Sequence, residues 1–175
     1  MRRFYPLVWI ILTACMQFQL PEKDMKELLR RFDGKLTSDT VRIDNHSIHL
    51  VYTDNAHDVL VVFIHGSPGS WNHFRHFLVQ DSLQEKYDMV SLDRPGFGYS
   101  DYGEAEPSID HQAYFIKKAL DQFDHRIKIL VGHSLGGPVI AKMAMNYQGL
   151  AQALIFLAPC GSRPTIGSST MSSLG

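Results

Sequence analysis

The stretch Ile127–Tyr147, IKILVGHSLGGPVIAKMAMNY, decides the fold. Ile127 to Val131 is apolar apart from Lys128 and reads as a strand. Leu135 to Tyr147 reads as a helix, with Val139, Ile140, Met143, Ala144 and Tyr147 on one face. Between them stands Gly132-His133-Ser134-Leu135-Gly136, a G-x-S-x-G. The pattern alone is weak, because so few fixed positions recur by chance. A strand running straight in and a helix running straight out make it strong. The glycines permit a sharp turn that lifts Ser134 Oγ clear of both elements, at a helix N-terminus where developing negative charge is favoured. The competing reading is a plain Ser N-cap between two glycines; the strand–turn–helix context favours a nucleophile.

Working upstream, Val59 to Ile64 is a continuous apolar run, the mark of a strand buried on both faces. It is broken by His65-Gly66-Ser67-Pro68-Gly69, a tight loop able to aim backbone N–H groups into a cavity, as acyl transfer requires. Ser67 N–H and Leu135 N–H are the candidate oxyanion donors, since Pro68 has no N–H. His65 is expected beneath this loop, supporting its backbone. Tyr87 to Leu92 predicts another strand, closed by Asp93-Arg94-Pro95-Gly96-Phe97-Gly98-Tyr99-Ser100. Asp93 there reads as a structural turn residue rather than a catalytic acid. Trp71, Phe74, Phe97 and Tyr99 are read as packing residues, with walling of an apolar pocket as the alternative.

The remaining elements alternate. Pro21 to Phe32 predicts a helix with Met25, Leu28, Leu29 and Phe32 on one face. Val41 to Asp44 and Ile48 to Thr53 predict a hairpin turning at Asn45-His46. A helix is expected over Trp71 to Leu83. Ser108 can cap another, whose Ile109, Ala113, Ile116, Leu120 and Phe123 form one stripe. Ala153 to Leu157 is the last strand. This order predicts an α/β fold: a mostly parallel, doubly wound sheet with an N-terminal hairpin. From Cys160 onward the chain is Ser, Gly, Thr and Pro with little to bury, and reads as loop. The expected division is a signal over 1–14, a linker and amphipathic helix over 15–35, a partial catalytic domain over 36–159 and an irregular tail over 160–175.

Composition narrows the function. The 175 residues suffice for one domain with a core, and 17 Lys+Arg against 18 Asp+Glu leave no basic excess to bind nucleic acid. Two cysteines and nine histidines without an HExxH spacing give no zinc site, so neither a metal nor a cofactor is expected.

The three motifs, in this order and spacing, resemble the α/β-hydrolase superfamily over about Val41 to Leu157. The resemblance implies attack by Ser134 on an ester, amide or related acyl bond of a small molecule, through a serine acyl-enzyme. The amides of Ser67 and Leu135 would form the oxyanion hole. A serine here also differs from relatives with an Asp nucleophile, such as dehalogenases and epoxide hydrolases. The usual triad runs Ser, then Asp or Glu, then His, yet no Asp, Glu or His follows Ser134. Among upstream histidines, His73, His76 and His111 lie near the site loops without an identifiable acid. The expectation is a hydrolase truncated after its sixth strand and impaired alone. The alternatives are a non-catalytic remnant that binds without reacting, and a second chain that supplies the missing groups.

The N-terminus carries a separate signal. Arg2 and Arg3 precede an apolar run from Phe4 to Leu12, about half the roughly 20 residues a spanning helix needs. That reads as an export signal. Leu12-Thr13-Ala14-Cys15 resembles the lipobox of bacterial lipoproteins, which implies a lipid on Cys15 and attachment to a membrane on the exported side.

Overall fold

The computed structural model describes residues 21–32, 34–101 and 103–160. The expected signal with its lipidation residue Cys15, and the tail beyond Cys160, lie outside the described residues.

One six-stranded sheet organises the chain. Its strands are β1 (Thr37–Ile43), β2 (His46–Tyr52), β3 (Val59–Ile64), β4 (Asp88–Leu92), β5 (Ile127–His133) and β6 (Ala153–Leu157), in the spatial order β1-β2-β4-β3-β5-β6. The hairpin β1–β2 is antiparallel and joins β4 antiparallel; β4, β3, β5 and β6 run parallel. The helices are α1 (Glu22–Arg31), α2 (Arg75–Leu78), α3 (Asp81–Gln84), α4 (Ile109–Leu120) and α5 (Gly136–Asn146).

Strand alternation divides the core into two layers. Leu60, Val62, Ile64, Val90, Leu92 and Leu130 pack with Ala113, Ile116 and Leu120 of α4 and Val139, Ile140 and Met143 of α5. Phe63, Met89 and Val131 face the other way, onto Met25, Trp71, Phe74 and Leu78. Helices therefore cover both faces, as a parallel sheet demands. Ser108 caps α4 as expected, its Oγ accepting from His111 N at 3.3 Å.

Three boundaries differ from expectation. The hairpin turns at Asp44-Asn45, with Asp44 at φ 52°, a left-handed conformation that Asp tolerates. β1 begins earlier, at Thr37, because its first residues are exposed and carry no apolar signal. The single helix expected over Trp71 to Leu83 is a 3₁₀ turn (Trp71–Phe74) followed by α2 and α3. Sinking Trp71, Phe74 and Leu78 into one layer outweighs helical continuity, and Gln80, at φ −82° and ψ 110°, breaks the run.

At the amino ends of the parallel strands, the fully buried carboxylate of Asp88 ties the β2–β3 loop to β4. It accepts from Asn55 N (2.7 Å), His57 N (2.9 Å) and His125 Nε2 (3.0 Å). Burial opposes ionisation, but those hydrogen bonds outweigh it and hold the carboxyl below its ordinary value of 3.8. A depressed carboxyl stabilises the fold above its unfolded pKa and ceases to do so as pH falls through the folded one. The stability gap between the protein and Asp88→Asn should therefore be widest near neutrality and narrow below pH 3.8 in urea titrations. A gap that does not change with pH would show that the charge is irrelevant.

Candidate active site

The carboxyl ends of β3 and β5 lie side by side, with Ile64 opposite Gly132. β5 ends at His133, α5 begins at Gly136, and the chain reverses on Ser134 at φ 50°. Few L-residues adopt that conformation without support. Here Ser134 N–H donates to Leu157 O (2.9 Å), and Ser134 O accepts from Gly137 N (3.0 Å) and Cys160 N (3.0 Å). The elbow is thus stapled to the end of β6. α5 also runs hard against β3: a Cβ on Gly136 would stand 2.2 Å from Ile64 O.

The loop after β3 closes over this turn. A Cβ on Gly66 would come within 2.7 Å of Ser134 Cβ, so only glycine lets the loop approach the hydroxyl so closely. Ser67 follows at the surface, and Leu135 is half-buried beside Ser134. The structure thus gathers Ser134, Leu135 and the loop of Ser67 at one end of the sheet.

His65 is buried under that loop, as the sequence reading expects. Its Nε2 accepts from Arg94 N at 3.0 Å; a backbone N–H can only donate, so the proton sits on Nδ1. Nδ1–H then donates to Gly66 O at 2.6 Å. Burial and the nearby Arg94 guanidinium push the His65 pKa well below its usual value, leaving a neutral ring fixed in one tautomer. Arg94 donates to the same carbonyl, Nη2 to Gly66 O at 2.9 Å.

Asp93 is structural, as read. Its buried carboxylate accepts from Trp71 N (2.7 Å), Tyr99 N (3.0 Å) and His49 Nδ1 (2.9 Å). That places it between three segments of the chain and away from Ser134. Trp71 and Phe74 are core residues, and Phe97 lies against Arg94 and His65.

Two readings need correction. Cys160, read only as the start of the irregular tail, has its Sγ 3.2 Å from Ser134 Oγ. It stands just past the carboxyl end of β6, the end where open α/β sheets bind ligands, and that position is the signal that was available. A thiol is a weak donor and a weak acceptor, so it orients the hydroxyl without deprotonating it. His111 does have an acid, Glu106 Oε2 at 3.2 Å from Nδ1, but the imidazole is largely exposed. Among the described residues no histidine hydrogen-bonds to Ser134 Oγ. His73 and His133 stand ring to ring, 6.4 Å apart, and burial followed by repulsion from His133 lowers the His73 pKa. A cavity of about 340 Å³ lined by His57, Asp88, Phe123 and His125 is at the opposite, amino end of the strands.

Residues 59–173 match the family model described as alpha/beta hydrolase fold. The chain belongs to that family. Of curated relatives, it is 31% identical over 108 residues to the dihydrolipoyllysine-residue acetyltransferase component of the acetoin cleaving system of Cupriavidus necator, covering 62% of this chain and 28% of that protein. It is 30% identical to epoxide hydrolase 4 of Mus musculus, covering 67% of this chain and 33% of the relative. Its fold resembles that of a bacterial membrane phospholipase A at TM-score 0.67 and 23% identity, over 91% of this chain and 51% of the other. It also resembles the epoxide hydrolase CorEH at TM-score 0.62 and 22% identity, over 78% and 47% of the two chains. The chain spans less than half the length of these curated relatives.

The contact of α5 with β3 makes a prediction. Gly136→Ala drives a methyl into the Ile64 carbonyl, which is backbone and cannot swing aside. Overpacking of this kind costs about 1–3 kcal/mol. The midpoint of urea unfolding should fall to match; an unchanged midpoint would mean that the helix shifts freely.

Proposed function

We propose that the protein is a serine hydrolase of the α/β-hydrolase family that acts on an ester, amide or related acyl bond of a small molecule. Ser134 is the nucleophile, and the backbone N–H groups of Ser67 and Leu135 receive the oxyanion. The observation that carries the reading is Ser134 itself, held at φ 50° between β5 and α5 with the Gly66 loop packed against its side chain. A side chain in that conformation is unfavourable unless the surroundings hold it, and such strain recurs where a nucleophile must be presented.

The reaction proceeds by attack of Ser134 Oγ on the acyl carbon, loss of the alcohol or amine, and hydrolysis of the acyl-enzyme. A general base must take the hydroxyl proton. Among the described residues no carboxylate or imidazole hydrogen-bonds to Ser134 Oγ, so the group that takes the proton is not assigned. Without a base Ser134 is a weak nucleophile, which also supports a second reading: a protein that keeps the fold and binds without turnover.

A fluorophosphonate reports on the Ser134 hydroxyl without needing turnover. With no histidine at Ser134 Oγ among the described residues, labelling of the wild-type chain should be slow but measurable, and Ser134→Ala should abolish it, by intact-protein mass spectrometry. Equal labelling of both removes the assignment.

We further propose that the protein is exported and held at a membrane by a lipid on Cys15, from the Leu12–Cys15 pattern. Expressed in a bacterium with a labelled fatty acid, the protein should carry label and sediment with membranes, and Cys15→Ser should do neither. Incorporation unaffected by that substitution would overturn the anchor.

A further inference from the structure

Arg94 is fully buried, and no carboxylate lies within ion-pair distance of it among the described residues. Its guanidinium donates from Nη1 to Gln112 Oε1 at 2.8 Å and from Nη2 to Gly66 O at 2.9 Å. Nε has no partner, and the Phe97 ring lies 4.5 Å from Cζ. Gln112 is fixed in turn by its own Nε2, which donates to Glu106 O at 2.6 Å. Burial draws the guanidinium pKa down to about 10, so it stays charged at neutral pH. A buried cation without a counter-ion is costly, and a well-packed apolar side chain would serve stability better.

What the cation holds is one carbonyl. Gly66 O receives both Arg94 Nη2–H and His65 Nδ1–H. Among the described residues only the Ser67–Pro68 peptide is cis, so the Gly66–Ser67 peptide is trans. In a trans peptide the C=O and N–H point in opposite directions. Two donors that pin Gly66 O inward therefore turn Ser67 N–H outward, away from Arg94. Gly66 meanwhile lies against Ser134.

Resting on the serine-hydrolase reading, we infer that Arg94 is a positioning residue: clamped between Gln112 and Phe97, it fixes the Gly66–Ser67 peptide so that Ser67 N–H faces the oxyanion that forms beside Ser134. The planar fork is essential, because it reaches Gln112 and Gly66 together from one rigid plane. The same charge sits in a water-poor interior and is balanced when negative charge develops at the carbonyl oxygen.

Two measurements on the 175-residue chain test this. The first is the second-order rate of fluorophosphonate labelling for wild type, Arg94→Met and Arg94→Lys, each at a temperature where circular dichroism shows it folded. Loss of an oriented oxyanion donor slows Arg94→Met on the order of 10²-fold. Arg94→Lys recovers part of that rate, because an ammonium can still donate to Gly66 O. The second is the ¹H–¹⁵N chemical shift of the Ser67 amide, which needs no reaction and reports the orientation of that peptide. It should move in Arg94→Met and less in Arg94→Lys. If Arg94→Met does not fold, Gln112→Leu, which frees the other end of the fork, should slow labelling and move the Ser67 signal in the same sense.

Folded Arg94→Met with wild-type labelling and an unmoved Ser67 signal overturns the inference, as does Gln112→Leu with neither change. These failures differ from failure of the hydrolase reading. If labelling depends on Ser134 but not on Arg94, only the positioning role falls. If Ser134→Ala labels like wild type, the reading itself falls, and the Ser67 chemical shift still decides whether Arg94 sets that peptide.

Discussion

Everything at the carboxyl ends of the strands depends on how closely α5 approaches β3. Gly136 stands so near Ile64 O that no side chain fits between them. That distance draws the start of α5 over the sheet and leaves Ser134 to absorb the reversal between β5 and the helix. The strain at φ 50° is the consequence, and hydrogen bonds to Leu157, Gly137 and Cys160 hold it in place. A larger residue at position 136 would relax the turn and let the serine fall back toward an ordinary helix cap. The geometry of Ser134 is therefore a packing property of a glycine two residues away.

Beside this contact lies a buried polar knot with two separate functions. Asp93 gathers Trp71 N, Tyr99 N and His49 Nδ1, which fixes the loop after β4 to the hairpin and to the 3₁₀ turn. His49 completes the knot through Nε2 and Ser38 Oγ, 2.9 Å apart. The next residue, Arg94, turns the opposite way and engages the loop after β3. Adjacent residues of opposite charge thus brace two different loops instead of each other. Buried charges of this kind contribute little net stability, but each specifies one loop conformation, since an alternative would cost it its buried hydrogen bonds.

The parts of this fold legible in the sequence are those written in apolar periodicity. The buried runs of β3 and β5 and the stripes of α4 and α5 announce themselves, because burial on one or two faces leaves few other residues acceptable. The elbow is legible because its glycines and serine sit between two such elements. Contacts between distant segments are not written locally. Thr37 to Thr40 form half a strand with exposed polar side chains, held by pairing with β2. His49 and Asp93 are far apart in the chain and meet only after the sheet has formed. Cys160 reaches Ser134 because β6 ends where β5 ends, a matter of register that composition does not reveal. Arg94 lies in the loop that closes β4, and only the folded chain brings its guanidinium to Gly66 O.

Serine catalysis, the reaction proposed for this site, needs both orientation and proton transfer. The described residues hold the Ser134 hydroxyl and the Gly66–Ser67 peptide by glycine contacts and buried hydrogen bonds. Proton transfer needs a base, and among the described residues the neighbour of Ser134 Oγ is a thiol. In serine proteases, removing triad members still leaves about 10³–10⁴-fold catalysis over water, from the oxyanion hole and binding alone. Orientation therefore has catalytic value independent of the base. It also has a structural cost independent of the base: a strained serine, a helix start that admits only glycine and, among the described residues, a buried cation with no carboxylate in ion-pair distance. Each is set by contacts within the described fold, so the presentation of Ser134 does not depend on which group takes its proton.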